Sequence, residues 1–134
     1  MLRIITVVGI GLLIGLAGCD AKYHRRDEAG RILFENTAVK DCVRVIQQDS
    51  DRIEGGLLRV RTILKCKKKE DIFVDVKTVW KDAKGYALYE TSWAPFLLTA
   101  REPKTLEVVS MRADVADYEL RVRQAKKTES TKND

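Results

Sequence analysis

Through the middle of this chain, apolar residues recur at every second position. Leu58, Val60, Leu64 and Cys66 fall on one side of an extended segment, with Arg59, Arg61, Lys65 and Lys67 on the other. Ile72, Val74, Val76 and Trp80 repeat the pattern against Asp75, Lys77 and Lys81. Successive side chains of a strand point to opposite faces, so each segment settles with one face in a core and the other in water. A helix would spread the same residues around its circumference. Further strands are expected over Val39 to Gln47, Tyr86 to Thr91, Phe96 to Ala100, Thr105 to Met111 and Tyr118 to Arg123. Glu54-Gly55-Gly56 can close a hairpin ahead of Leu57, and Asp82-Ala83-Lys84-Gly85 reads as a type I turn with glycine in the left-handed position. Pro95 and Pro103 bracket Phe96 to Ala100, which marks that segment as an edge or a short connection. Short strands at this spacing predict an all-β chain, an immunoglobulin-like antiparallel β-sandwich.

The first residues have a different character. From Ile4 to Gly18 only Thr6 is polar, and Arg3 places one positive charge in front. That is the layout of a secretory signal peptide, and the run falls short of the about 20 apolar residues a spanning helix needs. Leu16-Ala17-Gly18-Cys19 resembles the lipobox of bacterial lipoproteins. On that reading residues 1–18 are a cleaved lipoprotein signal peptide, and Cys19 is the first mature residue. Its thiol becomes a thioether to diacylglycerol, and with the freed amine also acylated the anchor has enough chains to hold stably. Residues 19–36 are charged and poor in apolar side chains, and are expected to form a flexible tether. The domain is expected over 37–125, with a disordered tail over 126–134.

Removing 18 residues from 134 leaves enough chain for one modest core and too little for two. The chain carries 25 Lys+Arg against 20 Asp+Glu, and only Arg3 lies in the leader. The mild excess suits solubility or attraction to anionic lipid and wall polymers, and no helix-turn-helix or zinc pattern argues for nucleic acid. The expected location is the bacterial cell envelope, lipid-anchored and facing the periplasm. Asp20 resembles the signal that retains lipoproteins in the inner membrane of enteric bacteria, but the sequence alone leaves inner and outer membrane both open.

Gly56 to Arg123 resembles the YcfL-like lipoproteins of the bacterial envelope. The similarity rests on the glycine-led strand GLLRVRTILKCKKK, Trp80 with Asp82 and Gly85, a second tryptophan at Trp93, and the closing Tyr118-Glu119-Leu120-Arg121-Val122. Lys81 stands where the family commonly has an aromatic, Cys66 and Lys67 stand near a usual asparagine turn, and Ser110-Met111 replaces a usual Ala-Pro. The resemblance implies an envelope lipoprotein with a β-sandwich domain and no established activity. In some enteric bacteria the gene neighbours that for a lipoprotein activator of a peptidoglycan synthase, so the implied partner is an envelope or cell-wall-synthesis protein.

Reaction chemistry is hard to find. The one histidine, His24, lies beside Arg25 and Arg26 in the expected tether, a poor place for a zinc ligand or a catalytic base. Asp49 with Asp51 and Asp114 with Asp117 read as solvated turn residues rather than paired carboxylates. No glycine loop suits a phosphate. The sequence therefore points away from an enzyme and implies no cofactor and no metal.

Trp80 shares its face with Val74 and Val76 and is expected in the core. Trp93, before Ala94-Pro95, is a candidate for stacking on a sugar ring. Arg59, Arg61, Lys65 and Lys67 read first as the solvated side of a sheet, and secondarily as a patch for anionic headgroups or acidic partners. Cys42 and Cys66 remain once lipid has taken Cys19, and an oxidising compartment favours pairing them. A hairpin centred near Glu54 sets the two opposite each other, within bonding range. That register turns Val43 and Val45 away from the face shared by Leu58, Val60 and Leu64, which a bulge or a one-residue slip would change. The leading expectation is a membrane-tethered protein-binding or structural module; the alternative is a glycan- or anionic-lipid-binding module near the cell wall.

Overall fold

The computed structural model describes Arg25–Arg26 and residues 31–125. Cys19, the expected signal peptide and the expected tail lie outside the described residues. The elements are β1 (Arg25–Arg26), β2 (Ile32–Phe34), α1 (Thr37–Cys42), β3 (Val43–Arg52), β4 (Leu58–Cys66), β5 (Ile72–Lys81), β6 (Ala87–Glu90), β7 (Ala94–Leu98), β8 (Pro103–Val109) and β9 (Asp117–Gln124). They form two packed sheets. The larger runs β1-β2-β9-β5-β6, with β7 also paired to β5, and the smaller runs β3-β4-β8. β9 covers one edge of β5 from Val74↔Gln124 to Lys81↔Asp117, while β7 and β6 pair with successive parts of β5. All pairs between strands are antiparallel except β2 with β9, where Ile32, Leu33 and Phe34 run parallel to Leu120, Arg121 and Val122.

The alternation works as its period requires. Along β4, Leu58, Val60, Thr62, Leu64 and Cys66 are buried and every residue between them is at least partly exposed. From β5, Val74, Val76, Thr78 and Trp80 are buried, joined by Tyr118, Leu120 and Val122 of β9. The core has two centres. One gathers Ile32, Phe34, Val39, Val43, Leu64, Val74, Leu98 and Val122 near α1. The other places Trp80 among Leu58, Val60, Val115 and Tyr118, with the Tyr89 ring 6.4 Å from Trp80 centroid to centroid.

The turns hold the expected glycines. Gly55 and Gly56 have φ of 80° and 74°, and Gly85 has φ of 87°. Asp82 organises its turn by accepting, through Oδ1, from the amides of Lys84 and Tyr86, each at 2.9 Å.

Three expectations need correction. The folded unit begins before residue 37, because Ile32–Phe34 is a sheet strand with all three residues buried. A strand with both faces covered has no alternation to show, and three residues among charges read as tether. Thr37–Cys42 is a helical turn rather than the start of a strand, capped by Asn36, whose Oδ1 accepts from the Val39 amide at 2.8 Å. Since α1 takes up Cys42, β3 begins one residue later and sets Val43, not Cys42, opposite Cys66. Val43 thereby enters the core with Val45 packed against it, and a bulge between Val45 and Gln47 resets the register. Burying the two valines decides the slip. Both cysteines are free, the Cys66 thiol facing the carbonyls of Glu70 and Lys68 at 3.5 and 3.7 Å.

Ser110-Met111 bind this end of the smaller sheet to its neighbours. Ser110 donates its amide to Leu58 O at 2.8 Å and accepts the Leu58 amide on Oγ at 2.9 Å. The Met111 amide, which a proline would lack, donates to the Tyr89 hydroxyl at 2.7 Å.

Trp80 is 1% exposed. Trp80→Ala is expected to cost about 3–5 kcal/mol in a urea melt, the usual range for emptying a buried aromatic site. Lys81→Ala, outward at the next position, leaves Arg121 on the buried Glu119 carboxylate and should cost less. Equal losses would show the facing of β5 to be wrong.

Candidate functional site

The outward faces of the two sheets carry the charged and aromatic residues that the sequence singles out, and they carry them apart. On β4, Arg59 and Arg61 point away from the core. Arg59 makes a forked ion pair with Asp51 of β3, Nε to Oδ1 at 2.9 Å, and Arg61 Nε reaches Glu107 of β8 at 2.8 Å. Strand pairing dictates both contacts, since Arg59 stands opposite Asp51 and Arg61 opposite Glu107. Lys65 is half-buried on the same face and Lys67 is exposed just past the strand. The Arg59 guanidinium bonded to Asp51 holds that carboxyl below its ordinary range, and the carboxylate raises Arg59 in return.

Trp93 lies on the other sheet, in the connection between β6 and β7. The Arg123 guanidinium sits 4.0 Å from its ring centroid and the Lys77 ammonium 5.3 Å, both on the outward face of the larger sheet. These cations are themselves held, Arg123 by Asp75 at 3.2 Å and Lys77 by Glu90 at 2.7 Å. The chain's own guanidinium thus occupies the indole. Trp93 and the basic face of β4 lie on opposite outer surfaces, and the structure does not join them into one ligand surface.

Two features escaped the sequence. Glu119 has a side chain only 3% exposed although its position in β9 faces outward, and it lies between Arg121 at 3.0 Å and Lys81 at 3.5 Å. Its alternation with Tyr118 and Leu120 marks it as outward; its burial depends on neighbours that no local pattern reveals. The second is a cleft of about 100 Å³ between α1 and the start of β5, lined by Ala38, Val39, Cys42, Ile72, Phe73 and Val74 with Gln124 at its side. Phe73 stands 58% exposed at its rim. Only a helix at residues 37–42 creates this cleft, so reading a strand there concealed it. No group of three His, Cys, Asp or Glu suited to a metal occurs among the described residues.

Fold and site together define a small two-sheet β-sandwich whose outer faces are laced by its own ion pairs. The chain belongs to the family described as "Protein of unknown function (DUF1425)", which matches residues 30–124. A crystal structure of a DUF1425 family member from Shewanella sp. pv-4 is similar over 81% of this chain and 94% of its own, at 23% identity and a TM-score of 0.56. The Campylobacter jejuni protein cj0090 shares the fold over 71% of this chain and 98% of its own, at 17% identity and a TM-score of 0.62. No curated protein matches the sequence.

The Arg59–Asp51 pair makes a prediction for pH. A carboxyl whose folded pKa is depressed adds stability above its ordinary value of 3.8 and loses it only as pH falls through the lower folded value. Carboxyl NMR titration should find Asp51 below 3.8 in the folded protein. Arg59→Gln should return it upward; an unchanged titration would show that the pair does not persist in solution.

Proposed function

We propose that this protein is a lipid-anchored component of the bacterial envelope, of the YcfL-like type. Its sandwich domain serves there by binding another envelope protein or as a structural part, without catalysing a reaction. The observation that carries the reading is Leu16-Ala17-Gly18-Cys19 closing a short apolar run behind Arg3. Lipid on Cys19 supplies the membrane attachment, and no cofactor is called for.

The folded domain supports a binding role in what it does with its polar groups. Outward cations are paired across strands to Asp51, Glu107, Asp75 and Glu90, which builds a rigid, patterned surface rather than a concave reaction site. The glycan reading is the weaker one, because Arg123 already covers the Trp93 ring. In this account the domain faces the periplasm, and a partner in cell-wall synthesis fits its location.

The anchor depends on one sulfur. Cys19→Ser, expressed in a bacterium with a lipoprotein pathway and labelled with a clickable fatty acid, should take no label and accumulate as precursor. Labelling equal to that of the unaltered chain would overturn the reading. Cross-linking of the intact lipoprotein in its own cells should then capture one specific envelope protein, and only diffuse adducts would remove the binding role.

A further inference from the structure

Because β2 is parallel to β9 and antiparallel to β1, both ends of the described chain leave the sandwich at one pole. Arg25 pairs with Phe34, at the end of β2 that leads into α1, and β9 finishes at Gln124 opposite Val74. Five residues separate Cys19 from Arg25. At 3.3–3.6 Å per residue that stretch reaches about 20 Å at most. β4 alone, nine residues long, spans roughly 30 Å. A lipid on Cys19 therefore keeps the α1 pole next to the bilayer.

That pole carries what a bilayer surface attracts. The cleft between α1 and β5 opens there, with Phe73 at its rim. The β4–β5 turn beside it presents Lys67, Lys68 and Lys69, all exposed. Among the described residues none of the three is ion-paired, in contrast to Arg59, Arg61, Lys77 and Arg123, whose charges are engaged. Glu70 and Asp71 follow, and the exposed Asp71 is engaged by accepting the Ala100 amide at 2.8 Å. Aromatic and aliphatic side chains flanked by unpaired lysines are the make-up of an interfacial surface, the apolar part entering the headgroup boundary and the cations meeting anionic lipid.

The geometry points to the α1 pole as a docking surface for an anionic lipid bilayer, with Phe73 inserted and Lys67, Lys68 and Lys69 on the headgroups. This rests on the lipid anchor at Cys19. Anchoring makes the contact intramolecular, so an attraction too weak to recruit a free protein is enough to orient a tethered one. The domain then stands end-on, with the pole bearing Tyr86 and Met111, 70% and 79% exposed, directed away from the membrane toward other envelope components.

The test uses the full lipidated chain reconstituted in vesicles of phosphatidylethanolamine and phosphatidylglycerol, brominated high on the acyl chains. Tryptophan quenching is read for Phe73→Trp and Met111→Trp, each against the unaltered chain with its Trp80 and Trp93. Quenching of the added tryptophan at 73 and not at 111 is the expected result. Replacing Lys67, Lys68 and Lys69 by Gln should then reduce the docked-to-undocked ratio by about fivefold per lysine, the equivalent of about 1 kcal/mol each. Vesicle flotation without quenching at 73, or equal quenching at both positions, overturns the docking while leaving the anchor standing. A chain that fails to float overturns the anchor and the docking with it.

Discussion

The architecture depends on the position of the last strand. β9 lies between β2 and β5, the central strand of the larger sheet. Its inward residues Tyr118, Leu120 and Val122 join both centres of the core, and its outward residues carry Glu119, Arg121 and Arg123. The larger sheet is incomplete until the end of the chain is in place, so its stability is non-local and its formation is expected to be slow for its size. The same arrangement brings both ends of the described chain to one pole.

The outer faces are shaped by economy of charge. A sheet with cations on one strand is stable in water only if they repel little, and cross-strand register supplies a carboxylate opposite several of them: Asp51 for Arg59, Glu107 for Arg61, Asp75 for Arg123. Exposed pairs of this kind add little to stability individually. They do fix side-chain directions, and they leave the lysine turn after β4 as a place where positive charge stays available to an outside partner. Glu119 differs, being buried between Lys81 and Arg121, and loss of its charge would leave two partly buried cations without their shared carboxylate.

Much of this was legible because β4 and β5 are long and buried on one side. Their period of two set the facing of Leu58 to Cys66 and placed Trp80 in the core, and Gly85 after Asp82 set its turn. Ile32–Phe34 was not legible, since a short strand buried on both faces has no period, and neither was α1, whose six residues carry too little pattern to outweigh the β-branched residues after it. The cysteine register failed for a related reason. Symmetry about the turn gave Cys42 opposite Cys66, whereas helix formation up to Cys42 and burial of Val43 moved the pairing by one residue. The α1 cleft required two elements distant in sequence, and only the assembled chain brings them together.

The proposed docking depends on the parallel pairing of β2 with β9, which sets the chain at Arg25 on the α1 pole. Amide hydrogen exchange on the full-length protein tests it directly. The Glu35 amide donates to Val122 O at 3.0 Å and the Leu120 amide to Arg31 O at 2.8 Å. Both should be protected to the degree of the Ser110 amide, which ties the opposite sheet together through Leu58. Glu35 exchanging at the rate of an open chain while Ser110 stays protected would place residues 31–36 outside the fold and contradict the account.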